Sequence, residues 1–191
     1  MGADCGDAQK DVAPKTTRPK AQKMPREGGK TMKINNIVQM LRVFEKMEVR
    51  RFEIEADKLR VFCGEVDICL KTIDEAFVEC HIIDDDGTIF KGKVRIDNLE
   101  LILFAWESGF GSNYVRKTRI TLETISMRMK NACVTGDSSK LCVTEDHVCC
   151  HIEPQGVEIY RGCEKVSSIN FQATDGFTDA MIDQFLSWLA G

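Results

Sequence analysis

Apolar residues recur along this chain with two different periods, and the switches between them outline its elements. From residue 35 to 47 the spacing is helical: Ile37, Val38, Leu41 and Phe44 share a face, with Met40 beside them. Asn35 or Asn36 is placed to cap that helix. The period then drops to two. Phe52, Ile54 and Ala56 alternate with Arg51, Glu53 and Glu55, and Leu59, Val61 and Cys63 follow, then Val66, Ile68 and Leu70. Val78, Cys80 and Ile82 alternate with Glu79 and His81. One wet and one dry face per segment predicts half-buried antiparallel strands.

Asp84-Asp85-Asp86-Gly87 separates two such segments and reads as a hairpin turn, since Asp-Gly fits the positive φ that tight hairpins need. Three adjacent carboxylates could hold calcium, but the rest of a twelve-residue EF-hand loop is missing. Ile96 ends a strand, and Asp97 is expected to cap a second helix over Asn98–Glu107. Gly109, Gly111 and Asn113 form a loop. Strands are expected again at Ile120/Leu122 and Met127/Met129, with a turn at 136–139. Further strands follow at Leu141/Val143, Val148/Cys150/Ile152, Val157/Ile159 and Ile169/Phe171. The last helix, 177–189, carries Phe177, Met181, Phe185, Trp188 and Leu189 on one side, with Asp175 as its cap.

The elements amount to an α+β fold: a β-rich antiparallel domain, built as a hairpin meander in one or two sheets, with about three helices. Phe52–Gly64 can be laid on Cys150–Gly162 as strand, tight turn, strand and glycine, and Cys80–Gly92 fits the same mould with one extra turn residue. The domain, 32–191, could therefore consist of two repeated halves, 32–109 and 110–191. Any hairpin with one buried face converges on the same alternation, so the two readings stand level.

Composition adds a boundary. Residues 1–31 hold three of the four prolines and almost no large apolar side chain, too little to offset the entropy of ordering them. They read as a disordered basic tail or leader. Residues 1–33 carry eight Lys or Arg against four acids, while the whole chain is at −4. Lys15, Arg18, Lys20, Lys23 and Arg26 could therefore touch nucleic acid electrostatically, although a solvated, soluble tail is the simpler reading. No apolar run approaches the roughly 18 residues of a membrane span, and no secretory signal opens the chain, so a cytoplasmic protein is expected. Its nine cysteines are then expected as reduced thiols, most of them acting as small buried hydrophobes.

Candidate chemistry concentrates in His147-Val148-Cys149-Cys150-His151. On a strand His147, Cys149 and His151 share one face, while Cys150 faces the core. Neighbours on that face are roughly 7 Å apart and could chelate together, but His147 and His151 are roughly 13 Å apart, too far to share one ion. No second cysteine pair at zinc-finger spacing exists, nor a P-loop, dinucleotide fingerprint or nucleophile elbow. The residues therefore favour a non-catalytic protein over a small thiol- or metal-dependent enzyme, and they imply no cofactor.

Residues 32–109 resemble one domain of the bacterial DNA polymerase sliding clamp, the beta subunit. The likeness lies in the order of parts: a helix, then FEIEADKLRVFCGEVDICLK as two strands turning into a third, then GTIFKGKVRI running into the helix DNLELILFAWESG. The resemblance implies a ring or scaffold that holds partners on DNA. Helices lining such a ring should be basic, yet Asn98–Glu107 has no Lys or Arg and includes Glu100 and Glu107.

The same segment supports an interaction module more directly. Leu99, Ile102, Leu103 and Trp106 supply the stripe that packs on a sheet, which leaves Leu101, Phe104 and Ala105 apolar on the flank and back. A helix apolar all round is covered by its own domain, here by the helix with Phe185 and Trp188, or by a partner. A homodimer is the simplest partner.

Overall fold

The computed structural model describes residues 31–108, 111–171 and 178–190. The basic residues Lys15, Arg18, Lys20, Lys23 and Arg26, the cap Asp175 and the helical residue Phe177 lie outside these ranges. Helix α1 spans Ile34–Phe44 and is followed by β1 (Val49–Glu55), β2 (Lys58–Cys63), β3 (Val66–Thr72), β4 (Phe77–Asp84) and β5 (Gly87–Arg95). A short helical stretch comes next, with α2 (Leu99–Leu103) flanked by 3-10 turns at Ile96–Asn98 and Phe104–Trp106. Helix α3 (Asn113–Ser126) leads into a second run of strands: β6 (Cys133–Asp137), β7 (Lys140–Glu145), β8 (Val148–Glu153), β9 (Gly156–Arg161) and β10 (Glu164–Asn170). Helix α4 (Asp179–Ala190) is the last element.

The ten strands form one antiparallel sheet in the order β10-β9-β8-β7-β6-β1-β2-β3-β4-β5. Two five-stranded meanders, each preceded by a helix, therefore meet where β1 pairs with β6. The register at this seam is Glu53 opposite Asp137 and Ile54 opposite Gly136. The amide of Ser138 donates to the carbonyl of Phe52 (2.9 Å) and extends it. Gly136 sits at φ 115°, and a Cβ there would lie 2.2 Å from the Lys140 carbonyl oxygen. Only glycine allows the β6–β7 turn and the seam to approach this closely.

The alternation read from the sequence decides which face is dry. Phe52, Ile54, Leu59, Val61, Ile68, Leu70, Val78, Cys80 and Ile82 point inward, as do Val134, Leu141, Val143, Cys150, Ile152, Val157 and Ile159. Helices α1 and α3 pack against each other, and Ile34, Ile37, Leu41 and Phe44 of α1 and Val115, Leu122 and Ile125 of α3 are buried in the same core. Arg119 of α3 ties them electrostatically by donating to Glu45 and to Glu123, which also accepts from Arg42 (2.5 Å). The turn at Asp84 is held by its own carboxylate, which accepts from the amides of Asp86 and Gly87 (3.0 Å each).

Several expectations change. The segment with Ile120, Leu122, Met127 and Met129 is not a pair of strands: most of it is α3, one of four α-helices among the described residues. Its β-branched residues give it local strand character. Val115, Leu122, Ile125 and Met129 nevertheless bury one helical stripe, and the packing prevails. The hydroxyls of Thr118, Thr121 and Thr124 each donate to the carbonyl four residues back, so the threonines are satisfied inside the helix. Strand β6 occupies residues expected partly as a turn; the turn itself is only Ser138-Ser139. Asn98–Glu107 is not one helix, because the chain tightens to 3-10 geometry at Phe104 and Glu107 bridges to Met47. Asp97 does not cap it and instead accepts from Arg95 (3.2 Å). Asn35 and Asn36 lie inside α1, whose first flanking residue is Lys33.

The hairpins likened in sequence, Phe52–Gly64 and Cys150–Gly162, are β1–β2 and β8–β9, which occupy different places in their meanders. The hairpin of the second meander that stands where β2–β3 stands in the first is β7–β8. These two align without a gap: Lys58-Leu59 with Lys140-Leu141, Val61 with Val143, Val66 with Val148, Ile68 with Cys150 and Leu70 with Ile152.

Candidate functional site

The face of the second meander away from the helices carries the densest set of reactive side chains. Strand β7 pairs with β8 so that Cys142 stands directly opposite His151, while Cys149 stands opposite Thr144. All three side chains alternate with buried neighbours, Leu141 and Val143 on one strand and Cys150 and Ile152 on the other, so all three project from the same outer face. The two sulfurs are 3.1 Å apart, and the sulfurs and an imidazole nitrogen all fall within 4.8 Å of one another.

The surroundings set the protonation of each group. The thiol–sulfur hydrogen bond with Cys149 is the main influence on Cys142 and brings it down to about 7; burial opposes this and Lys140 assists it. Cys149 is pushed well up by the same hydrogen bond and by burial. Burial, with help from Lys140, lowers His151 from the ordinary imidazole value, which favours the neutral ring. The ring leans on Tyr160 at 4.8 Å between centroids, and His151 Nδ1 is buried with no hydrogen-bond partner among the described residues. The nearby carboxylates are already engaged: Glu158 accepts from Tyr160 (2.8 Å) and Lys165 (2.5 Å), and Glu153 pairs with Lys140 at 3.2 Å. The result is two sulfurs within hydrogen-bond reach of each other and one imidazole, gathered on a half-covered surface.

Two of the three residues, Cys149 and His151, belong to the trio read from the sequence. The third does not. His147 lies in the two-residue turn between β7 and β8, exposed and off the strand, because Asp146 takes φ 52° and closes the hairpin there. Cys142 takes its place from the neighbouring strand. Its signal in the sequence was a thiol at the polar phase of the Leu141/Val143 alternation, but only the register says what it faces.

A pH-resolved labelling experiment checks this electrostatics. Iodoacetamide should modify Cys142 with a rate that levels off above about pH 7. Cys63, Cys80 and Cys150, each pushed up to about 12 mainly by burial, should stay unmodified while the protein is folded. A Cys142 rate still climbing tenfold per pH step beyond 8 would contradict the shared proton.

A second surface lies at the other end of the sheet. Leu99 and Leu103 of α2 are buried, which turns Leu101 and Phe104 outward; they are 71% and 67% exposed, and Ala105 beside them is exposed as well. Helix α4 buries Phe185 in the core and leaves that patch open. Trp106 and Ile89 (47% exposed) line a hollow together with Cys63, Val66 and Glu48. A second concavity lies between α3 and the second meander, lined by Tyr114, Thr118, Thr121, Asp137 and Leu141. No helix among the described residues is long and apolar enough to cross a membrane.

No protein-family model matches the chain, and no curated protein or solved structure shows significant similarity to it.

Proposed function

We propose that this protein is a non-catalytic interaction module that pairs with a second copy of itself through the Leu101–Phe104 surface. The observation that carries the reading is the outward exposure of two large apolar side chains, three residues apart, on a segment whose inner side is anchored by Leu99 and Leu103. Packing within the chain does not require them to be apolar at all. Beside the projection of Leu101 and Phe104 in the chain, Trp106 lines a hollow together with Ile89. A two-fold interface uses one patch on both copies, so it needs projecting and receiving features side by side. Glu100, paired with Lys46, and Glu107 give the patch a polar rim.

Light scattering across a concentration series tests this. The wild type should be a dimer at tens of micromolar, and the double variant Leu101→Glu/Phe104→Glu a monomer with an unchanged circular dichroism spectrum. Each side chain contributes about 1.5–3 kcal/mol of apolar burial, so the dissociation constant should rise by at least about a hundredfold. A wild type that stays monomeric at high concentration overturns the self-association. A double variant that still dimerises moves the interface elsewhere.

A further inference from the structure

We infer that Cys142, Cys149 and His151 form a binding site for one zinc ion on the outer face of the second meander. Around tetrahedral zinc, with Zn–S near 2.3 Å and Zn–N near 2.0–2.1 Å, ligand atoms stand roughly 3.5–3.8 Å apart. Here the sulfurs are 3.1 Å apart, and the three ligand atoms lie within 4.8 Å of one another. Changes of about 0.4–1.3 Å in these separations bring the atoms to ligand geometry. The register supplies rigidity: Cys142 and His151 are directly paired on adjacent hydrogen-bonded strands, and Cys149 lies two residues from His151 on the same one.

The donor chemistry selects the metal. Two sulfurs and an imidazole suit a borderline-soft ion and exclude the oxygen-seeking magnesium and calcium. His151 is a ready ligand because its buried Nδ1 has no other partner among the described residues. On binding, zinc displaces the proton held between the two sulfurs, which passes to solvent, and Cys142 and Cys149 both serve as thiolate ligands. Zn2+ with two thiolates and a neutral imidazole is a neutral unit, which a half-covered face tolerates. Glu153 and Glu158 are held by Lys140, Tyr160 and Lys165, so the fourth position is left to water or to a group from outside the domain.

The fold does not demand this trio. At the matching outer-face places of the first meander, on β2 and β3, stand Arg60, Asp67 and Cys69, with Arg60 paired to Cys69 as Cys142 is paired to His151. Those side chains make an ordinary charged sheet surface. The second meander puts two sulfurs and an imidazole on the same scaffold positions, where neither packing nor turn geometry calls for them.

The test is a cobalt titration of the full chain, reduced and freed of metal by chelator, followed by displacement with zinc. One Co2+ per chain should bind, with the intense visible bands of tetrahedral cobalt and a sulfur-to-cobalt charge-transfer band in the near ultraviolet. Stoichiometric zinc should abolish both. Cys142→Ser, Cys149→Ser and His151→Gln should each weaken binding by about a hundredfold or more, while Cys163→Ser leaves it unchanged. A weak octahedral spectrum, binding unaffected by the Cys142 and Cys149 replacements, or no binding at all would each overturn the site. Should a replacement disturb the fold, alkylation of the unaltered protein decides instead. Zinc should protect Cys142 and Cys149 together, read by mass spectrometry, and labelling at an undiminished rate would defeat the proposal. So would a titration in which the two thiols join as a disulfide under mild peroxide and the reduced protein takes up no metal.

Discussion

Replacing Phe52 by alanine should cost about 3–5 kcal/mol, the range for removing a fully buried phenylalanine whose cavity the surroundings fill only in part. Phe52 is 0% exposed in the strand that carries the seam, and its ring lies parallel to that of Tyr114 with centroids 6.0 Å apart. It therefore touches all three parts of the architecture: the first meander through β1, the second through the hydrogen bond from Ser138, and α3 through Tyr114. A domain of this size has roughly 5–15 kcal/mol of total stability, so this loss removes a large part of it. Urea unfolding should show the midpoint falling steeply with the slope kept. A loss below about 1 kcal/mol would mean that the seam contributes little and that each half stands without the other.

Gly136→Ala should be nearly as damaging, by about 2–4 kcal/mol, although it adds a single methyl group. Two effects combine at this position. Its φ of 115° is strained for any L side chain, and the new Cβ would meet the Lys140 carbonyl oxygen at 2.2 Å, with Leu141 Cα at 3.1 Å. These neighbours are backbone atoms within the sheet and cannot rotate aside. The strand would have to shift at the point where Ile54 pairs with Gly136. Gly64→Ala is the control. Gly64 sits at φ 54°, and a methyl group added there would meet nothing within 4 Å, so only the left-handed backbone cost of about 1 kcal/mol applies. Thermal melts of the two variants should differ by several degrees. Equal melts would show that the close approach at Gly136 is not a constraint on the seam.

The strands were legible in the sequence because their causes are local. Inward and outward residues alternate with period two in Phe52–Ile54, Leu59–Cys63, Val66–Leu70 and Val78–Ile82, and each of these segments is a strand with those residues buried. Turn chemistry is equally local: Asp84 closes its hairpin with its own carboxylate. Helix α3 departs from its sequence pattern for the opposite reason. Threonine, valine and isoleucine favour strands by themselves, and only a core already shaped by α1 and the sheet makes a helical stripe of Val115, Leu122 and Ile125 worth burying.

The candidate site divides along the same line. That Cys149 and His151 share a face follows from strand geometry, and the chain states it. That Cys142 completes the group does not, because the partner of a residue across a sheet depends on register, and register is set by a turn and two hydrophobic faces acting together. The exposure of Leu101 and Phe104 is likewise a tertiary matter. The sequence showed a segment too apolar for an ordinary surface helix. Which side stayed uncovered was decided by the burial of Leu99 and Leu103 and by α4 placing Phe185 in the core rather than over the patch. By itself, then, the sequence determined most of the strands, the Asp84 turn and an antiparallel α+β fold, since these rest on interactions among neighbours along the chain. The tertiary structure decided the single continuous sheet, the β1–β6 seam and the Cys142–Cys149–His151 cluster, since each joins residues that only a complete core brings together.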